Sequence, residues 1–207
     1  MKIIYSGGWN NDLDDSIKNS FIFTYSDTIH NAINSGKKIC FVTLAKPDGY
    51  YNHLILPLYQ NIDIIDSTKT SVDWSSYDGI FIPGGNSMYL KNGLLKINFQ
   101  LSKLKEDVVI LGDSAGSYIL SSYFYQSPKG ELRGIDIEFH EGFNLEAKVI
   151  TIAHKNNPVY SPDILVQNVN VFAQEKGLTV LALNENEQKE LSNGQFIEVN
   201  KETIFKN

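Results

Sequence analysis

A repeated unit, in which a short apolar run leads through a turn into a stretch with helical spacing, limits the fold of this chain more than any other feature. The apolar runs are rich in β-branched and aromatic residues, as is typical of strands covered on both faces. This alternation predicts an α/β architecture with a mostly parallel sheet. We expect strands at residues 2–5, 38–44, 62–65, 79–82, 108–111, 149–152 and 178–183, and helices at residues 26–35, 117–124 and 161–176.

Glycine, proline and asparagine mark where several of these elements begin or end. Gly36 and Gly177 follow predicted helices, and Pro162 occupies the expected first position of the last one. Asn193 and Gly194 lie between alternating polar and apolar residues, which is a strong hairpin signal. The sequence therefore predicts a C-terminal β-hairpin beyond the α/β units.

Length and composition exclude several classes of function. A chain of 207 residues with 42% hydrophobic residues suits a single domain, which we assign to residues 1–207. It lacks an apolar run long enough to span a membrane and a signal-peptide pattern at its start, so we expect a cytoplasmic protein without a membrane partner. A net charge of −6 with scattered lysines argues against nucleic acid, and a lone cysteine, Cys40, excludes a disulfide or a cysteine-based zinc site.

The segment from Gly112 to Gly116 fits the G-x-S-x-G pattern of a nucleophile elbow. A predicted strand precedes it and a predicted helix follows it, which is the context that this motif requires. Such a turn lifts the Ser114 hydroxyl off the end of the strand and directs the Ala115 amide into the same space. An incidental serine in a glycine-rich turn is the plain alternative.

A serine nucleophile needs a base, and the sequence offers four histidines. His30 falls inside a predicted helix, His53 in a loop, and His140 in a charged stretch. His154 follows the predicted strand at residues 149–152, whose carboxyl end should face the same crevice as the elbow. We therefore favour His154 as the base, with His140 as the next candidate.

The acid that orients the base should lie between Ser114 and His154 if the chain follows the order of α/β-hydrolases. The sequence alone does not choose among the five carboxylates in that interval. They are Glu131, Asp136, Glu138, Glu141 and Glu146.

A second glycine loop, Pro83-Gly84-Gly85-Asn86-Ser87, follows the predicted strand at residues 79–82. Its amides could supply a second oxyanion donor, because residues without a β-carbon let a carbonyl group come close. It lacks the Lys-Ser/Thr ending of a phosphate-binding P-loop and the spacing of a dinucleotide loop. We expect Gly84, Asn86 and Asp113, the residue before Ser114, to contact substrate.

Four segments carry a resemblance to a known family: residues 81–86, residues 112–117, the Asn144-Leu145 pair and His154. Together they resemble the peptidase E family of serine peptidases, which includes aspartyl dipeptidase and cyanophycinase. The resemblance extends over nearly the whole chain. It implies a flavodoxin-like three-layer α/β/α sandwich related to class I glutamine amidotransferases, with serine in place of their cysteine.

The resemblance also implies a role for each matching residue. Ser114 corresponds to the nucleophile, His154 to the base, and the amides of Gly85 and Ala115 to the oxyanion hole. The family acid lies ahead of the Asn-Leu pair, where Glu131 fits best and Asp136 is the reserve.

Two departures from the family pattern limit what the resemblance implies. Asp113 places a carboxylate before the nucleophile, where relatives often have an uncharged residue. Aspartyl dipeptidase binds its acidic substrate with an arginine after the histidine, whereas the single arginine of this chain is Arg133. Lys155 is the nearest cation after His154, so we do not expect a strong preference for N-terminal aspartate.

The sequence thus predicts a serine peptidase, a monomer or homodimer, that cleaves a small peptide or amide bond without a metal or cofactor. An esterase or acyl-transferring enzyme with the same triad, or a non-catalytic binding module on this fold, are the alternatives.

Overall fold

The computed structural model describes residues 1–9, 20–60, 62–127 and 136–205. Strands account for most of the predicted apolar runs, each within a few residues of its expected bounds. The strands are β1 (Lys2–Ser6), β2 (Ile39–Val42), β3 (Asp63–Ile65), β4 (Gly79–Ile82), β5 (Val109–Asp113), β6 (Tyr123–Gln126), β7 (Glu138–Glu141), β8 (Val149–Ile152), β9 (Thr179–Ala182), β10 (Gln188–Ser192) and β11 (Gln195–Glu198).

A seven-stranded sheet in the order β11-β10-β1-β5-β4-β2-β3 forms the centre of the fold. Five neighbouring strands of this sheet pair in parallel, in the order β1-β5-β4-β2-β3. The β10–β11 hairpin adds two antiparallel strands beside β1. Asn193 and Gly194 connect the hairpin, both with positive φ (50° and 76°), as a tight two-residue turn requires. The predicted mostly parallel sheet and C-terminal hairpin are confirmed.

Helices connect the parallel strands and cover the sheet. None of those in the described ranges is long and apolar enough to cross a membrane. They are α1 (Phe21–Thr24), α2 (Ser26–Asn34), α3 (Asn52–Ile55), α4 (Ser87–Lys96), α5 (Ala115–Leu120) and α6 (Asp163–Lys176), with 3₁₀ turns at Trp74–Ser76, Leu101–Lys103 and Leu145–Ala147.

Side chains alternate between two apolar clusters on the two faces of the sheet. On β1, Tyr5 joins the cluster that contains α4, α5 and α6 residues, whereas its neighbour Ile4 joins the cluster with α1, α2 and α3 residues. Phe81 and Ile82 divide between the clusters in the same way. Burial on both faces explains why these strands are apolar at every position. The arrangement gives the expected three layers.

A second sheet, in the order β7-β6-β8-β9, was not predicted. The helix expected to reach residue 124 ends at Leu120, because Ser122 donates its N–H to Val149 O (2.8 Å) and starts pairing along β6. The predicted strands at 149–152 and 178–183 belong to this second sheet, not to the large one. Pro162 is the residue before α6 and not its first residue.

Candidate active site

Ser114 lies in a sharp turn between β5 and α5, in the predicted strand–turn–helix context. A Cβ on Gly112 would come within 2.4 Å of the Gly116 carbonyl carbon, and one on Gly116 within 2.3 Å of Ile82 O. Both glycines are therefore required by space. Ser114 itself has φ 49° and ψ −107°, an uncommon backbone conformation for a residue with a side chain.

His154 follows β8 and places its imidazole against the serine. Its Nε2 is 3.1 Å from Ser114 Oγ, and the residue is only 7% exposed. The backbone has φ 52°, and its N–H donates to Gly7 O at 2.7 Å. The predicted proximity of Ser114 and His154 is thus present, although the two residues follow strands of different sheets.

Glu185 supplies the carboxylate that contacts the other nitrogen of the imidazole. Its Oε1 is 3.0 Å from His154 Nδ1 and accepts a second hydrogen bond from Asn157 Nδ2 at 2.9 Å. The Glu185 backbone N–H donates to Asn156 Oδ1 at 2.8 Å. Because a carboxylate can only accept here, the proton lies on Nδ1 and the Nε2 lone pair faces Ser114.

This contact corrects the expectation that the orienting acid precedes His154. The observed order along the chain is Ser114, His154, Glu185, because the loop after β9 lies beside the loop after β8. Glu131 lies outside the described residues, and Asp136 is exposed. The signal in the sequence that could have identified Glu185 is its position two residues after the predicted strand at residues 178–183.

Burial is the main influence on the protonation of His154. Desolvation lowers the pKa of its imidazole, and the hydrogen bond that it donates to Glu185 only partly opposes this. The neutral form therefore predominates at pH 7, as a general base requires. The ring of Tyr160 also packs on the imidazole, with centroids 4.6 Å apart.

Of the other three histidines, His30 and His140 have their own local contacts and His53 is exposed. His30 Nε2 lies 2.8 Å from Leu58 O, and His53 is exposed on α3. His140, the second candidate for the base, lies on β7 with Nε2 3.7 Å from Glu138.

The predicted oxyanion loop lies beside the nucleophile. A Cβ on Gly84 would be 3.2 Å from Ser114 Cβ, so this loop approaches the serine closely. Gly85 has φ 137°, and a Cβ there would meet Ala45 O at 2.4 Å. Asn86 accepts the Tyr89 N–H at 2.9 Å with its side chain and so caps α4. Ala115 is the first residue of α5 and is buried.

A cavity of about 340 Å³ opens in front of the triad, and the expected contact residues Gly84, Asn86 and Asp113 line it. Lys46, after β2, is the only lysine or arginine among the described residues that line it. Lys46 precedes His154 in the sequence by more than 100 residues, so only the fold brings it to this cavity. Four tyrosines contribute most of the aromatic lining, namely Tyr51, Tyr118, Tyr125 and Tyr160.

Within the described ranges, no group of three or more histidine, cysteine, aspartate and glutamate side chains is arranged to hold a metal ion. No protein-family model matches the chain. No curated protein matches it either. The resemblance to peptidase E therefore rests on the sequence motifs alone.

Gly8 gives a first testable prediction. It has φ 88°, and a Cβ there would lie 2.3 Å from both Cε1 and Nε2 of His154. We expect Gly8→Ala to displace the imidazole. The rate at which Ser114 reacts with a fluorophosphonate should fall by about 100-fold. Gly36→Ala is the matched control, because Gly36 has a similar φ of 83° but nothing within 4 Å of its Cβ position. Equal reactivity of the two variants would contradict the role of Gly8.

Proposed function

We propose that this protein is a serine hydrolase that cleaves a small peptide or amide bond. The observation that carries the proposal is the hydrogen-bonded series from Ser114 Oγ through His154 to Glu185, with distances of 3.1 and 3.0 Å. Nucleophile, base and orienting acid in this geometry form the arrangement used for acyl transfer on several unrelated folds.

The reaction begins with attack of Ser114 Oγ on the substrate carbonyl carbon. His154 Nε2 takes the hydroxyl proton as the new C–O bond forms, and the carbonyl oxygen becomes an oxyanion. The imidazolium then returns the proton to the leaving nitrogen as the C–N bond breaks. A water molecule, activated by His154 Nε2, then hydrolyses the acyl-enzyme and restores Ser114.

Glu185 and the two glycine-containing turns support different charges in this cycle. The Glu185 carboxylate stabilises the imidazolium while it exists and holds Nδ1 protonated when the ring is neutral. The amides of Gly85 and Ala115 are proposed to donate to the oxyanion. The close approach of Gly84 to Ser114 supports this assignment, since it brings the loop to the reacting carbonyl.

The cavity supports a small substrate with limited charge selection. A volume of about 340 Å³ suits a dipeptide or a similar amide. Lys46 is a single flexible cation and lacks the fork with which arginine binds both oxygens of a carboxylate. A substrate with an acidic side chain should therefore be cleaved only slightly faster than one with a neutral side chain.

A panel of dipeptides and matched esters, followed by mass spectrometry, tests this proposal. We expect hydrolysis of dipeptides, with a kcat/KM for Asp-Leu less than about 100-fold above that for Ala-Leu. Cleavage of the esters alone would favour the esterase alternative. A larger preference for Asp-Leu would show that Lys46 or another group selects acidic substrates strongly.

A further inference from the structure

Three successive carbonyl groups at the end of β1 hold the three parts of the site. Ser6 O accepts the Ser114 N–H at 3.0 Å, and Gly7 O accepts the His154 N–H at 2.7 Å. Gly8 O accepts the N–H of Asn186, the residue after Glu185, also at 2.7 Å. The Ser6–Gly8 segment therefore sets how the nucleophile, the base and the acid lie relative to one another.

Asp113 binds this segment at both ends. Its Oδ1 accepts the Ser6 hydroxyl at 2.5 Å, and the Gly8 amide lies close enough to the same carboxyl group to lower its pKa. The register of the sheet places the two strands for this contact, since Ser6 pairs with Asp113 between β1 and β5. The Asp113 side chain is buried, with the residue only 1% exposed, and its Oδ2 has no hydrogen-bond partner.

We propose that Asp113 is a positioning residue whose ionised carboxylate fixes the Ser6–Gly8 segment and thereby aligns His154 with Ser114. This inference rests on the proposed hydrolase function. The groups that face the carboxyl are both donors, which the charged form accepts most strongly. Asp113 borders the cavity, but the residue is only 1% exposed and its Oδ2 lies 3.7 Å from the Cβ position of Gly84. We therefore assign it a role through the segment in place of the substrate contact expected from the sequence.

The charge of Asp113 changes close to neutral pH. Desolvation raises its pKa to about 7, although the hydrogen bonds from Ser6 and Gly8 oppose the rise. The other ionisable groups around the same cavity are Tyr51 on α3, Lys46 after β2 and His154 after β8. Burial raises the pKa of Tyr51, so it stays neutral, and the neutral form of His154 also predominates at pH 7.

The test compares wild type with Asp113→Asn, in which the amide resembles the protonated acid. The readout is the second-order rate of phosphonylation by a fluorophosphonate, which forms an Oγ–P bond at Ser114 and releases fluoride. We expect the ratio of the wild-type rate to the variant rate to be near one at about pH 5.5 and to rise to about 10–100 at pH 8.5. Titration of His154 affects both proteins alike and largely cancels in this ratio.

A second variant and a control separate positioning from general damage. Ser6→Ala removes a donor to the Asp113 carboxylate without removing the charge, so the pKa of Asp113 should rise. The phosphonylation rate of this variant should therefore increase at a higher pH than that of wild type. Asp78 lies away from the site, where its Oδ1 is 2.8 Å from Lys105 Nζ. The Asp78→Asn control should therefore behave like wild type. A ratio that is constant with pH, or that falls below one at high pH, would overturn the role of Asp113. A wild-type protein that does not react at Ser114 would instead remove the proposed function itself.

Discussion

Replacing Ser114 with alanine should lower the rate of dipeptide hydrolysis by about 1,000-fold or more, because no other group at this position can attack the carbonyl carbon. The fold should be unaffected, since alanine and serine have the same β-carbon and similar difficulty at φ 49°. Initial rates on the best dipeptide of the panel measure the loss, and thermal unfolding measures the stability.

Ser75→Ala is a suitable control, because Ser75 is exposed and hydrogen bonds only locally to Asp73 among the described contacts. Its rate should match that of wild type. A Ser114→Ala protein with normal unfolding and more than about a tenth of the wild-type rate would show that another residue is the nucleophile.

Glu185→Gln should lower the rate by about 1,000-fold while leaving substrate binding largely intact. Glutamine can donate through its amide to Nδ1, which favours the wrong tautomer, and it cannot stabilise the imidazolium. The matched control is Glu187→Gln, two residues along the same loop. There glutamine retains the oxygen that accepts the Asn184 N–H at 3.0 Å.

The same experiment decides between Glu185 and the acid expected from the sequence. Glu131→Gln and Asp136→Asn should both keep rates close to wild type, because His154 Nδ1 already contacts Glu185. An inactive Glu131→Gln beside an active Glu185→Gln would restore the family-based assignment.

Local patterns in the sequence were sufficient to predict the large sheet and the elbow. Strands buried on both faces are apolar at each position, so β2, β4 and β5 could be recognised without knowing their neighbours. The close approach of α5 to β5 explains Gly112, and its close approach to Ile82 on β4 explains Gly116. His154 could be selected because it follows a strand.

Long-range contacts account for what the sequence did not predict. Residues of β6 were expected to be helical, because their pairing with β7 and β8 is not visible in local spacing. Glu185 and Lys46 were missed for the same reason. Each follows a strand at its carboxyl end, but only the packing of the sheets shows that these ends meet at Ser114.

Peptide mapping after fluorophosphonate treatment tests the central claim most directly, because it reports which side chain is activated without requiring the natural substrate. We predict one phosphonyl adduct per chain, located on Ser114, and none on the Ser114→Ala protein. An unlabelled wild-type protein, or an adduct on another residue that survives in Ser114→Ala, would contradict the assignment of Ser114 as the activated nucleophile.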